Sequence, residues 1–191
     1  MAFSSPNRII WHYFSALRRL VNGIEHTGDE TAIRENVALC LMLAVTIVDA
    51  FLNVFFRVVI SEPGFTANEK SILKDIKDRR SIDYKLKNWP ERVFRKAIDF
   101  KAPTPKAFLA LKERRNQLMH FTSSHTNVNL PDGVELRGLA DTSSFDTLTP
   151  TDASSALALA EEMLCELFLL RGIPERELPH ALHSWTGKVP I

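Results

Sequence analysis

The chain has 191 residues, 45% of them hydrophobic and 25% charged, with 24 Lys and Arg against 23 Asp and Glu. That composition suits one globular domain with a sizeable core and excludes a disordered, collagen-like or disulfide-dense chain. A net charge of +1 excludes general stickiness for nucleic acid or acidic membranes but leaves room for a local basic site.

Ser5-Pro6 reads as a helix start with proline in the first turn. Ile9, Ile10, Tyr13, Phe14, Leu17 and Leu20 follow at helical spacing, with Gly23 as the expected stop, so residues 1–30 form an N-terminal helix. Arg8 and His12 interrupt its apolar residues, which does not fit a signal peptide. Asp29 or Thr31 is expected to cap a second, longest helix that ends before Pro63-Gly64. Residues 38–60 of it are apolar except for Thr46, Asp49, Asn53 and Arg57, which are three and four apart and so share one stripe. Asp, Asn and Arg along one span would be costly in lipid, so a core helix with one polar face is expected and no membrane span. Cys40 and Cys165 sit in apolar helical runs without paired spacing, and read as buried, reduced thiols in a cytoplasmic setting.

Thr66 followed by Glu69 is a capping-box pattern that opens a charged helix toward residue 79. Trp89-Pro90 predicts a break, with a short helix over residues 91–100 beyond it. Thr104-Pro105 starts a helix that passes Phe108 and Leu111 and reaches His120. In the polar stretch that follows, Val128/Leu130 and Val134/Leu136 flank Pro131-Asp132-Gly133, which suggests a small hairpin. Thr149-Pro150 with Asp152 begins the final long helix, closed near residue 171 by Gly172 and Pro174, and a short helix is expected over residues 175–184. The fold class is therefore all-α: a helical bundle with two long core helices, shorter additional helices and at most a small β-hairpin. It is one domain, 1–191, with its core at about residues 35–171 and a C-terminal appendage at 172–191.

One segment carries chemistry. With Phe108 as origin and about 100° per residue, Leu111, Leu118 and Met119 fall near about −60°, −80° and +20°, an apolar stripe with Arg115 inside it at about −20°. A guanidinium there is expensive unless it is paired or borders a cleft or a partner. Arg114, about 100° away, reads as ordinary surface charge. His120 lies about 140° around from Arg115. Asn116 stands between them as an i,i+4 neighbour of His120, able to orient its imidazole. The field at the helix C-terminus favours the protonated ring. A salt-bridged Arg115 and a surface His120 would give the same spacing without any chemistry.

At Arg115-Asn116-Gln117-Leu118-Met119-His120 the chain resembles the HEPN superfamily (higher eukaryotes and prokaryotes nucleotide-binding domains) in its R-N-x-x-x-H form. The helix carrying Asp49 and Asn53 is similar to that family's first core helix, and the helix after Thr149 to its closing one, so the resemblance spans roughly residues 35–171. It implies a metal-independent endoribonuclease, often a toxin or phage-defence effector, in which the motifs of two protomers meet in a homodimer. His120 would be the acid/base, Arg115 the phosphate clamp and Asn116 an orienter, with Asp49 holding Arg115. An imidazole suits abstraction of a 2′-hydroxyl proton, and a guanidinium fork suits developing phosphorane charge. An antitoxin or other regulatory protein is an implied partner. Members silenced by a partner nucleotidyltransferase carry Tyr two residues after the His, where this chain has Thr122. Other members have lost catalysis and serve as nucleotide- or RNA-binding or dimerisation modules.

Charge supports a second feature. Residues 62–106 carry twelve Lys/Arg against seven Asp/Glu, whereas residues 107–191 carry seven against eleven. Within the basic part, Lys85, Lys87, Arg92, Arg95 and Lys96 interleave with Trp89, a pattern able to track an RNA backbone and stack a base. Solvated helix faces and a core role for Trp89 explain it equally. His180 and His183 have i,i+3 spacing but no acidic or thiol companion, so no metal site is expected. There is no P-loop, dinucleotide fingerprint or Gly-flanked nucleophile, and no cofactor is expected.

Overall fold

The Asp29 carboxylate accepts the backbone N–H groups of Thr31 and Ala32 at 3.1 and 3.3 Å and caps the longest helix, α2 (Glu30–Val59). The computed structural model describes residues 5–119, 125–129, 131–133, 135–140 and 142–189. By length and composition α2 could cross a membrane. In the fold it is the central helix of an all-α bundle, packed most extensively on α7 (Pro150–Arg171) and α1 (Arg8–Ile24), and also on α5 (Pro103–Met119). Burial gives out along the stripe expected from spacing: Thr46 and Arg57 are exposed, Asp49 and Asn53 half-buried.

The close seam with α7 follows from residue size. Ala153, Ala156 and Ala160 are buried on its first half, where small side chains let backbones approach. Larger residues fill the far end, where Phe51 and Phe55 stack at 4.9 Å and meet Phe168 and Trp185 edge-on. Each such buried ring contributes about 1.5–3 kcal/mol through the apolar area it removes from water. Asp152 accepts the Thr149 backbone N–H at 2.8 Å and its hydroxyl at 2.9 Å at the start of α7, and Gly172, at φ 97°, ends it. Both ends lie where the sequence places them.

Two expectations need correcting. Thr66 does not cap the next helix: residues Thr66–Asn68 form a 3-10 turn, and α3 (Glu69–Lys77) starts after it. The Asn68 amide is occupied across the bundle, donating to the Arg92 carbonyl at 2.8 Å. Trp89-Pro90 does not break the chain either, because α4 runs unbroken over Ile82–Phe94 with both residues buried. Pro90 removes one helical hydrogen bond, at a cost of about 3 kcal/mol. Full burial of Trp89 against Phe56, and its indole N–H donated to buried Asp75 at 3.1 Å, offset that loss. Arg95, in the left-handed region at φ 59°, then ends α4, so residues 95–100 are not a helix.

Both ends of the chain also contribute to the hydrophobic core. Ile10, Phe14 and Leu17 of α1 are fully buried, and α8 (Leu178–Thr186) packs on α1 and α7 after a 3-10 turn at Glu175–Glu177. Arg18 joins them, donating to the Thr186 carbonyl at 2.6 Å and to Glu161 at 2.8 Å, while Lys188 donates to the other Glu161 oxygen at 2.6 Å.

Between α5 and a single helical turn, α6 (Ser143–Asp146), lies the hairpin, β1 (His125–Asn129) antiparallel to β2 (Glu135–Ala140). His125 pairs with Ala140 and Asn129 with Glu135, so the ladder is longer than the apolar pairs suggest. Leu130 and Val134 of those pairs lie outside the described residues.

Candidate functional site

Helix α5 presents three cations within four residues, and two of them have carboxylate partners. Lys112 Nζ donates to both Asp83 oxygens, at 2.7 and 2.6 Å, at the start of α4. Arg114 makes a two-pronged pair with Asp152 at the start of α7. It is therefore not free surface charge but a clamp between helices. These pairs sit on either side of α5 and fix its rotation in the bundle.

Arg115 is the exception. Its Nε is shielded from water and has no hydrogen-bond partner, and its Nη1 reaches only the Met119 sulfur, at 3.4 Å. No carboxylate pairs with it among the described residues. A buried donor without an acceptor costs about 1–3 kcal/mol, so in a native fold it calls for a ligand or a reason. Phe108 and Leu118 are buried on the same helix as expected, but Met119, placed on the apolar stripe by the sequence, is 49% exposed.

Asp49 does not hold Arg115. Its Oδ1 accepts from Lys85 Nζ at 2.7 Å, and Lys85 is 3% exposed. The unbroken α4 is the reason: Lys85 shares its inward face with Leu86 and Trp89, which directs the ammonium onto α2. Lys85 is thus a core residue and no part of an RNA-tracking surface. Arg92 is likewise committed, donating to buried Asp75 at 2.7 Å, and Trp89 is the core anchor, not a base platform. Of the basic set, Lys87, Arg95 and Lys96 are exposed.

Asp49, Arg115 and Asn116 do come together in one cleft of about 410 Å³, with Val45 and Thr46 of α2 and Arg79, Arg80, Ser81 and Asp83 at the entry to α4. His120, the other half of the motif, lies outside the described residues, as does Thr122. Sequence reasoning missed Arg79, Arg80, Asp83 and Lys112. A double arginine directly before a serine helix cap was the available signal for the first two.

Elsewhere, Cys40 is buried, and burial pushes its thiol up to about 11; Cys165 is half-buried and also raised, chiefly by burial. His180 and His183 are exposed, and among the described residues no group of three His, Cys, Asp or Glu is placed to hold a metal ion. Compared with known proteins, the chain matches no family model, no curated protein and no solved structure.

Proposed function

We propose that the protein is a metal-independent endoribonuclease of HEPN type, cytoplasmic and homodimeric, acting as a toxin or phage-defence effector. The observation that carries this reading is the Arg115 guanidinium, left without an acceptor on the wall of a cation-rich cleft five residues before His120. A phosphate is the acceptor whose charge and geometry best complete such a fork. His120 takes the proton from a ribose 2′-hydroxyl as that oxygen attacks the adjacent phosphorus. Arg115 neutralises the charge that builds on the non-bridging oxygens. The bond from phosphorus to the 5′-oxygen then breaks, that oxygen receives a proton from an imidazolium, and a 2′,3′-cyclic phosphate remains. Asn116 positions the His120 ring.

The test is cleavage of a labelled RNA mixture in excess chelator by wild type, Arg115→Ala and His120→Ala. Cleavage by wild type alone, leaving cyclic-phosphate ends, supports the assignment; equal cleavage by His120→Ala sinks it. A second reading, a catalytically inactive module that binds nucleotide or RNA, is favoured by one fact: among the described residues the cleft gathers Arg79, Arg80, Lys112 and Arg115, cations able to hold a phosphate without any acid or base. Overexpression separates the two. A nuclease arrests growth unless His120 is replaced, and a binding module does not.

A further inference from the structure

Four cations, Arg79, Arg80, Lys112 and Arg115, line the cleft, and their partners do not balance them. Asp83 is taken by Lys112 and Asp49 by Lys85. Arg80 lies 3.6 Å from Asp75, already the acceptor of Arg92, and its guanidinium is held over the Tyr84 ring at 5.0 Å. Arg79 is exposed, and its side chain makes no ion pair or hydrogen bond among the described residues. Arg79 and Arg115 therefore face one cavity as uncompensated charges, one at the mouth and one with its Nε buried in the wall. Ser81, which caps the 13-residue helix α4, and Ile82 and Asp83 of its first turn line the same cavity. The N–H groups of Ile82 and Asp83 have no acceptor within the helix, and the positive end of its dipole adds to the two guanidinium groups.

We infer that this cleft is a phosphate subsite, holding the RNA phosphodiester next to the one that Arg115 serves, with Arg79 as its main ligand. The assignment rests on the ribonuclease reading. It names what the basic segment does for the substrate: Lys85 and Arg92 are committed inside the fold, and Arg79, whose side chain has no partner among the described residues, takes the backbone-tracking role expected of them. A second cleft, of about 450 Å³, shares Asp83 and Lys112 with the first and is also lined by Lys87. The strand thus runs from Arg115 past Lys112 toward Lys87, and the substrate is a single strand longer than a dinucleotide.

Arg79 allows a clean test because its backbone is left-handed, at φ 53°. Glycine adopts that conformation without strain, so Arg79→Gly removes the cation and keeps the turn. Binding of a 5′-labelled, mixed-sequence 12-nucleotide single-stranded RNA is measured by fluorescence anisotropy in excess chelator, on a His120→Ala background that leaves the strand intact. Arg79→Gly is expected to weaken binding about tenfold and to lower the salt dependence by about 0.7 in log–log slope, one counterion's worth. Arg176→Ala, an exposed cation that lines neither cleft, should change neither. Unchanged affinity in Arg79→Gly, equal loss in Arg176→Ala, or no RNA binding by any form overturns the subsite. Displacement of the RNA by micromolar AMP or ADP overturns it too, in favour of a free nucleotide. Cleavage by wild type with normal binding by Arg79→Gly sinks the subsite and leaves the nuclease standing. Arg79-dependent binding without cleavage does the reverse.

Discussion

Lys85 Nζ lies 2.7 Å from Asp49 Oδ1, an ion pair between α4 and α2 in which the lysine side chain is 4% exposed and the aspartate 41%. Water therefore reaches one partner only. Removing the carboxylate in Asp49→Ala strands a buried ammonium and should lower stability by about 1–3 kcal/mol, less than for a fully buried pair because the aspartate side is wet. Lys85→Met removes the charge and keeps the packing, and should stay within about 1 kcal/mol of wild type. Urea denaturation midpoints give both values; equal losses would show that the pair is attractive beyond its desolvation cost.

Gly187 sits at φ 71° after α8, and a Cβ there would collide with the Trp11 indole. Gly187→Ala combines left-handed strain of about 1–2 kcal/mol with overpacking of about 1–3 kcal/mol. A drop of several degrees in Tm is expected, with quenching or shift of tryptophan fluorescence. An unchanged Tm would mean that α8 does not dock on α1 in solution.

Local signals were the most legible in the sequence. Asp29, Thr149, Asp152 and Gly172 act through their own neighbours in the chain, and α2 begins, and α7 begins and ends, where those residues say. Pro90 is also a local signal, but a fully buried Trp89 outweighs it, and no periodicity reports what a side chain will meet across a bundle. The same limit applied at the site. A helical wheel set Arg115 apart from its neighbours, and the family resemblance paired it with Asp49, but the competing claim of Lys85 on Asp49 depends on how α4 crosses α2. Arg79 and Arg80 come from the turn before α4 and Lys112 from α5, so their convergence exists only in three dimensions.

Partial burial by itself would raise the Asp152 carboxyl, but the Arg114 guanidinium and the Thr149 N–H and hydroxyl hold it below its ordinary value of 3.8. A depressed carboxylate contributes stability that is fully present above that ordinary value and lost as pH falls through the lower folded one. At pH 7 Asp152→Asn should cost about 1–2 kcal/mol, from a lost cap and a lost charged hydrogen bond. Below pH 3.8 the difference from wild type should shrink steadily. Paired denaturation curves at pH 7 and in acid measure it, and a difference that grows on acidification would contradict the pairing.

The Cys40 thiol, pushed up to about 11 by burial, is almost wholly protonated at pH 8 and shut away from solvent. Cys165 is also raised but half-buried. A disulfide reagent such as DTNB should therefore modify Cys165 slowly in the native protein and Cys40 only when the fold opens. The rate at Cys40 should rise with urea in step with global unfolding. Rapid reaction of both thiols in buffer would mean that α2 is not the closed centre of the bundle.

Arg115 offers the sharpest separation of stability from function. If its unpaired Nε awaits a ligand, the guanidinium is a burden on the free protein, since a buried donor without an acceptor costs about 1–3 kcal/mol. Arg115→Met keeps the apolar stem of the side chain and removes the stranded N–H. The variant should then be more stable than wild type by about 1 kcal/mol while losing RNA cleavage. Wild type should in turn gain stability from RNA or phosphate where Arg115→Met does not. Thermal denaturation with and without RNA reads both effects. A destabilised Arg115→Met would make the arginine a structural residue, and the case for a phosphate clamp at that position would fall with it.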